Sequence, residues 1–153
     1  MSFAKKLYIS LSSSIFFLLL STPTTYKITN SLFNRFNVTN KDIIFDPITN
    51  CPTDFGHLIH TILFFIIIYL NMIMKNQFDT FDKKSLTILL KFALYGSLIY
   101  YFITNNATYR LTSKYINYSI ANDQGCPTHL GLLIHTIIYT IILMLVMYLP
   151  EDC

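Results

Sequence analysis

Charge is scarce in this chain: Asp, Glu, Lys and Arg supply only 12% of its 153 residues, about half the share usual in a soluble domain. The net charge of +3 is small and dispersed, which excludes a nucleic-acid-binding face, so no nucleic-acid partner is expected. No phosphate-binding loop, nucleophile elbow, His-Glu-x-x-His or Cys-x-x-Cys occurs anywhere. Four-helix membrane enzymes that make disulfides need paired cysteines on one side, which this chain lacks. It also lacks carboxylates within its apolar runs, where proton-coupled carriers usually hold them. These absences predict a non-enzymatic protein with no catalytic residue, cofactor or metal.

What is present is apolar and clumped. Hydrophobic residues make up 53% of the chain. Stretches 4–22, 56–74, 85–104 and 130–149 reach or approach the roughly 20 helical residues that cross a bilayer core. So short a chain has too little polar sequence to cover four such runs in water. An all-α, four-helix integral membrane protein is expected, with the lipid bilayer as its first partner. Lys5-Lys6 ahead of Leu7–Leu20 look like the start of a signal peptide. However, no small-x-small site follows and Pro23 stands where cleavage would fall, so a retained signal anchor is expected.

The chain also repeats itself. Cys51-Pro52-Thr53-Asp54-Phe55-Gly56-His57-Leu58-Ile59-His60 returns as Cys126-Pro127-Thr128-His129-Leu130-Gly131-Leu132-Leu133-Ile134-His135, and 13 of the 22 residues in 51–72 and 126–147 are identical. Further upstream, Thr25-Tyr26-Lys27-Ile28-Thr29 matches Thr108-Tyr109-Arg110-Leu111-Thr112. Two tandem two-span repeats follow, 1–74 and 85–149, joined by 75–84 and ending in a short tail, 150–153. An even number of spans per repeat gives both the same orientation, hence a pseudo-twofold axis along the membrane normal. Lys5, Lys6, Lys75, Lys83 and Lys84 crowd near span ends, while Lys27, Arg35, Lys41, Arg110 and Lys114 are spread over longer loops; this favours both termini inside. Loops 23–55 and 105–129 then lie outside, together with three N-x-Ser/Thr triplets at Asn37, Asn106 and Asn117.

Those loops carry Ile28, Leu32 and Phe36, then Leu111, Tyr115 and Tyr118, at the spacing of short amphipathic helices lying in the interface. The first loop is eight residues longer, with the insertion between Asn37 and Asn50. Its Ile43-Ile44-Phe45 cluster is where a contact private to one copy would form. Any membrane-protein or capsid partner is expected to bind through these outer loops. In spans one and three, Ser10 and Ser14 align with Ala93 and Ser97, with Gly96 alongside. Such small-xxx-small faces let membrane helices approach closely, here against spans two and four.

Within the repeated element, Pro52 and Pro127 suit a helix start, Thr53 and Thr128 can cap its free N–H groups, and Gly56 and Gly131 permit a close neighbour. Cys51 and Cys126 occupy equivalent positions that can meet near the axis. A bridge between them needs Cα atoms within about 7 Å and an oxidising compartment; two unpaired thiols are the alternative. His60 and His135 sit about two turns into their helices, where ionisable groups face the bundle interior. A contact between them across the axis and a separate structural hydrogen bond for each are both open. Eight residues of mostly helical chain separate each Cys from its His, too far for one mixed zinc site.

The Cys51-Pro52-Thr53-x-x-Gly56-x-x-x-His60 element and its repeat resemble small hydrophobic membrane proteins of large double-stranded DNA viruses. The likeness covers the two capped helices, under a third of the chain. It implies a structural or assembly component of a virion membrane or host endomembrane, and carries no catalytic residue across. The competing expectation is a small channel or carrier with His60 and His135 near its axis.

Overall fold

A computed structural model describes residues 3–36, 43–78, 84–116, 119–122 and 124–148. Helix α1 spans Phe3–Ser21 and α2 Pro23–Phe36; a two-stranded hairpin, β1 (Phe45–Asp46) and β2 (Cys51–Pro52), leads into α3, Asp54–Phe78. Then come α4 (Leu86–Ile103), α5 (Asn106–Ile116) and α6 (His129–Val146). In the hairpin Phe45 pairs with Pro52 and Asp46 with Cys51, and Asn50 takes the left-handed conformation that closes the turn, at φ 59°. In the second half, one bridge between Ala121 and Pro127 stands at the corresponding place.

Three helices are long and apolar enough to cross a membrane on their own: Asp54–Asn76, Leu86–Ile103 and His129–Val146. The first stretch qualifies only together with α2, from which it is bent by 63°. Along it, Ser10, Ser13 and Ser14 are all turned inward and buried. The chain is therefore all-helical apart from the hairpin, with three to four candidate spans.

α1 packs on α6 and α3, and α4 packs on α3 and α6; the most extensive contact of each is with the helix from the other half of the chain. The small residues make these contacts possible. Ser14 Oγ lies 2.5 Å from Thr140 Oγ1 and Ser10 Oγ 3.8 Å from Met147 Sδ, while Ala93 is fully buried in α4. Gly96 lies against the Tyr139 hydroxyl and Leu143. Lys6 Nζ stands 3.7 Å over the Tyr148 ring, and Lys75 Nζ 3.6 Å over Tyr8, so the start of α1 and the ends of α3 and α6 share one end of the bundle.

The outward faces are as apolar as the interior. Leu58, Ile62, Ile66 and Leu70 on α3, and Leu133, Ile137, Ile141 and Leu145 on α6, form exposed stripes one turn apart. Leu11, Ile15 and Leu19 do the same on α1, and Leu90, Leu94, Leu98 and Phe102 on α4. Apolar faces on every side of a bundle this small are what a lipid solvent requires, since water would drive them together.

Candidate functional site

The duplicated motif builds the end of the bundle where α3 and α6 begin. The first free N–H groups of a helix need acceptors, all the more at a membrane edge. Thr53 Oγ1 accepts from Gly56 N at 3.0 Å, and Thr128 Oγ1 from Gly131 N at 3.1 Å. Each threonine also reaches back to the backbone upstream of it. Thr53 N donates to Ile44 O and its hydroxyl to Ile43 O; Thr128 N donates to Ile120 O and its hydroxyl to Ser119 O. These returns press the preceding backbone onto the glycines. A Cβ on Gly56 would overlap the Ile44 carbonyl, and one on Gly131 the Ile120 carbonyl. Pro52 and Pro127 sit in the hairpin and bridge that precede the helices.

Cys51 and Cys126 form a disulfide, with Cα atoms 5.6 Å apart and both residues buried. It joins the two helix starts directly across the bundle.

His60 and His135 are 0% and 1% exposed, but they do not pair with each other. Each ring spends both nitrogens inside its own half. His60 Nδ1 is 2.9 Å from Leu20 O at the end of α1, and its Nε2 is 3.1 Å from Thr29 Oγ1 on α2. His135 Nδ1 is 2.9 Å from Ile103 O at the end of α4, and its Nε2 is 3.1 Å from Thr112 Oγ1 on α5. A carbonyl can only accept, so Nδ1 carries the hydrogen in both; at Nε2 each ring meets a threonine hydroxyl that also donates to a backbone carbonyl, Thr29 to Thr25 O at 2.9 Å and Thr112 to Thr108 O at 2.8 Å. Tyr26 stacks on His60 with centroids 3.7 Å apart, and Tyr109 on His135 at 4.0 Å. Of the two arrangements the sequence leaves open, the structure has the separate hydrogen bonds and not the contact between the rings: equivalent positions make equivalent bonds, and these bonds are local.

Four buried rings pack together between the helices instead. Phe17 stacks on Tyr139 at 4.6 Å and Phe64 on Tyr100 at 4.4 Å; the edge-on pairs Phe17–Tyr100 and Phe64–Tyr139 close the set at 5.4 and 5.8 Å. None was singled out in the sequence, because an aromatic residue inside an apolar run has no pattern to mark it. The partners of the histidines did carry a signal. Thr25, Tyr26 and Thr29 match Thr108, Tyr109 and Thr112, and every one of them is used: Thr25 Oγ1 and Thr108 Oγ1 each donate at 2.6 Å, to Leu19 O and Phe102 O.

The other two histidines differ from each other. His57 Nε2 lies 2.8 Å from Thr104 Oγ1 and its ring stacks on Tyr101 at 4.8 Å, whereas His129 is exposed at the start of α6. Among the described residues no group of three or more His, Cys, Asp or Glu lies together. The Ile43–Phe45 cluster, the place expected for a contact private to one copy, turns inward. Ile44 and Phe45 are 0% and 3% exposed, packed on Tyr26 and Phe33, so they fill their own loop rather than offering a contact to a partner. At the turn above them, Asp46 accepts from Ile48 N at 2.9 Å and Thr49 Oγ1 at 2.7 Å. The Thr49 hydroxyl and then the Ile48 N–H hold its carboxyl below the ordinary range. Asn37, Asn117 and Tyr118 fall outside the described residues.

Compared with protein-family models, curated proteins and solved structures, the chain matches none.

Proposed function

We propose that the protein is a non-enzymatic, multi-pass membrane protein built from two tandem two-span repeats about a pseudo-twofold axis, serving as a structural or assembly component of its membrane. What supports the repeat is that each tie in one half has its counterpart in the other: histidine to carbonyl and threonine, tyrosine on histidine, threonine on the upstream backbone. The observation that carries the function is how the interior polar groups are used. The two histidines that a transport path would need are consumed in local hydrogen bonds, and four aromatic rings pack together between the helices. Histidines spent in this way hold helices together and are not offered to a path through the bundle. The likeness of the Cys-Pro-Thr-x-x-Gly-x-x-x-His element to proteins of large DNA viruses extends the reading to a virion or virus-modified host membrane, with partners at loops 23–55 and 105–129.

Ion-flux measurement on proteoliposomes from pH 5 to pH 8, the range where histidine titrates, is the test. We expect no conductance from the wild-type protein at any pH. A pH-dependent conductance abolished by H60L/H135L would replace this reading with the transport one.

A further inference from the structure

α2 and α5, the two helices that do not cross the bundle, each present three distinct faces. On α2, Tyr26, Thr29 and Asn30 turn to α3 and the hairpin. On α5, Tyr109 and Thr112 turn to α6. A polar face follows: Lys27, Ser31 and Asn34 line an open cavity of about 430 Å³ beside Asn50, and Arg110 donates to Gln124 O. The third face is apolar and exposed: Ile28, Leu32 and Phe36 at 56%, 52% and 84%, and Leu111 and Tyr115 at 56% and 79%.

Two observations identify what covers that third face. The first is position. A 63° bend from an upright α1 leaves α2 27° off the bilayer plane, the complement of that angle. The second is continuity. Exposed apolar residues climb α1 through Leu11, Ile15 and Leu19 and resume after the bend at Ile28 and Leu32; on α4 they climb through Leu94, Leu98 and Phe102 and resume at Leu111 and Tyr115. The lower part of each series faces lipid in any membrane reading of the bundle. Arg35 and Lys114, in the last turns of the two helices, suit the phosphates at the same level.

We infer that α2 and α5 lie in the headgroup region of a single leaflet and act as a two-bladed wedge, so that the protein favours bilayers convex on that face. Helices inserted in one leaflet add area to it and none to the other, which is why in-plane amphipathic helices respond to curvature. The Cys51–Cys126 bridge and the two histidine ties anchor both blades to the bundle, so the added area cannot retract. The inference rests on the membrane reading above and names its partner as the surface of the protein's own bilayer.

The chain has no tryptophan, so I28W and L111W each give a single clean probe in the full-length protein in vesicles. We expect quenching by phospholipids brominated near the top of the acyl chain and shielding from acrylamide. Acrylamide access without bromolipid quenching would overturn the inference. We also expect the fraction of molecules with the Cys51–Cys126 end outward to rise by roughly twofold or more from large to small vesicles, and L32N/Y115N to flatten that rise. A wild-type orientation ratio independent of vesicle size would overturn it too, and the single-tryptophan depths remain decisive if the double variant misfolds. Extraction of the wild-type protein by alkaline carbonate would sink the membrane reading itself. Retention with water-exposed tryptophans would sink only the wedge.

Discussion

Replacing His60 and His135 by leucine, singly and together, separates a local tie from a contact across the axis. Each ring makes two hydrogen bonds and one stack. A hydrogen bond contributes about 0.5–1.5 kcal/mol net, nearer the low end within membranes, and an aromatic stack about 0.5–1.5 kcal/mol. Each substitution should therefore cost about 1.5–4.5 kcal/mol, with the two singles alike because their surroundings are alike. The ties share no partner, so H60L/H135L should cost the sum of the singles to within about 0.5 kcal/mol. Reversible unfolding in detergent with the disulfide intact, followed by circular dichroism, gives all three values. A double variant no worse than either single would mean that the two rings act as one unit, and the local-tie account would be wrong.

Other consequences follow from the same region. The Cys51–Cys126 bridge closes a loop of 75 residues, and chain entropy gives it about 4 kcal/mol; C51S or reduction should lower the melting temperature and retard the protein on a gel, and an unchanged melt would refute that role. G56A and G131A force a Cβ into a backbone carbonyl and should each abolish stable expression. G96A meets only side-chain atoms, the Tyr139 hydroxyl at 3.4 Å and Leu143 Cδ1 at 3.7 Å, and should change the melting temperature little; equal damage from all three would contradict the packing. Asp46 has its carboxyl held low, so its support for the hairpin is complete above the ordinary carboxylate pKa and fades as pH falls through the lowered value. The protection factor of the Ile48 amide, its exchange rate relative to an unprotected amide at the same pH, should fall in acid in the wild type, and D46N should remove that pH dependence.

The sequence makes the helices and the helix starts readable because both depend on local chemistry: apolar runs, a proline, a capping threonine, a glycine. The inward position of Ser10, Ser14, Ala93, Gly96 and Ser97 is readable for the same reason, since small residues four apart in an apolar run mark a contact face. Which helix meets that face is not readable. Lipid exerts no pull that would single out α6 for α1 or α3 for α4. The histidines show the limit most clearly. Duplication guarantees that His60 and His135 have the same surroundings, but does not bring them together, and their partners Thr29 and Thr112 lie in a match that served only to align the repeats. Ile43–Phe45 lies within the eight-residue insertion, which masks its register: Ile43 and Ile44 take the places before Thr53 that Ser119 and Ile120 take before Thr128. Burial of Ile44 and Phe45 against Tyr26 and Phe33 depends on the hairpin folding back, and hydrophobicity alone does not reveal that.

The crossed packing of α1 on α6 sets a timetable for making the protein. The principal neighbour of α1, the earliest made of the described helices, is α6, the latest made of them. At about 5–20 residues per second, α1 waits on the order of ten seconds before Thr140 and Met147 arrive to meet Ser14 and Ser10. Through that interval its hydroxyl-bearing face has only α3 to cover it, and a chain stopped after α4 would keep that face uncovered for good.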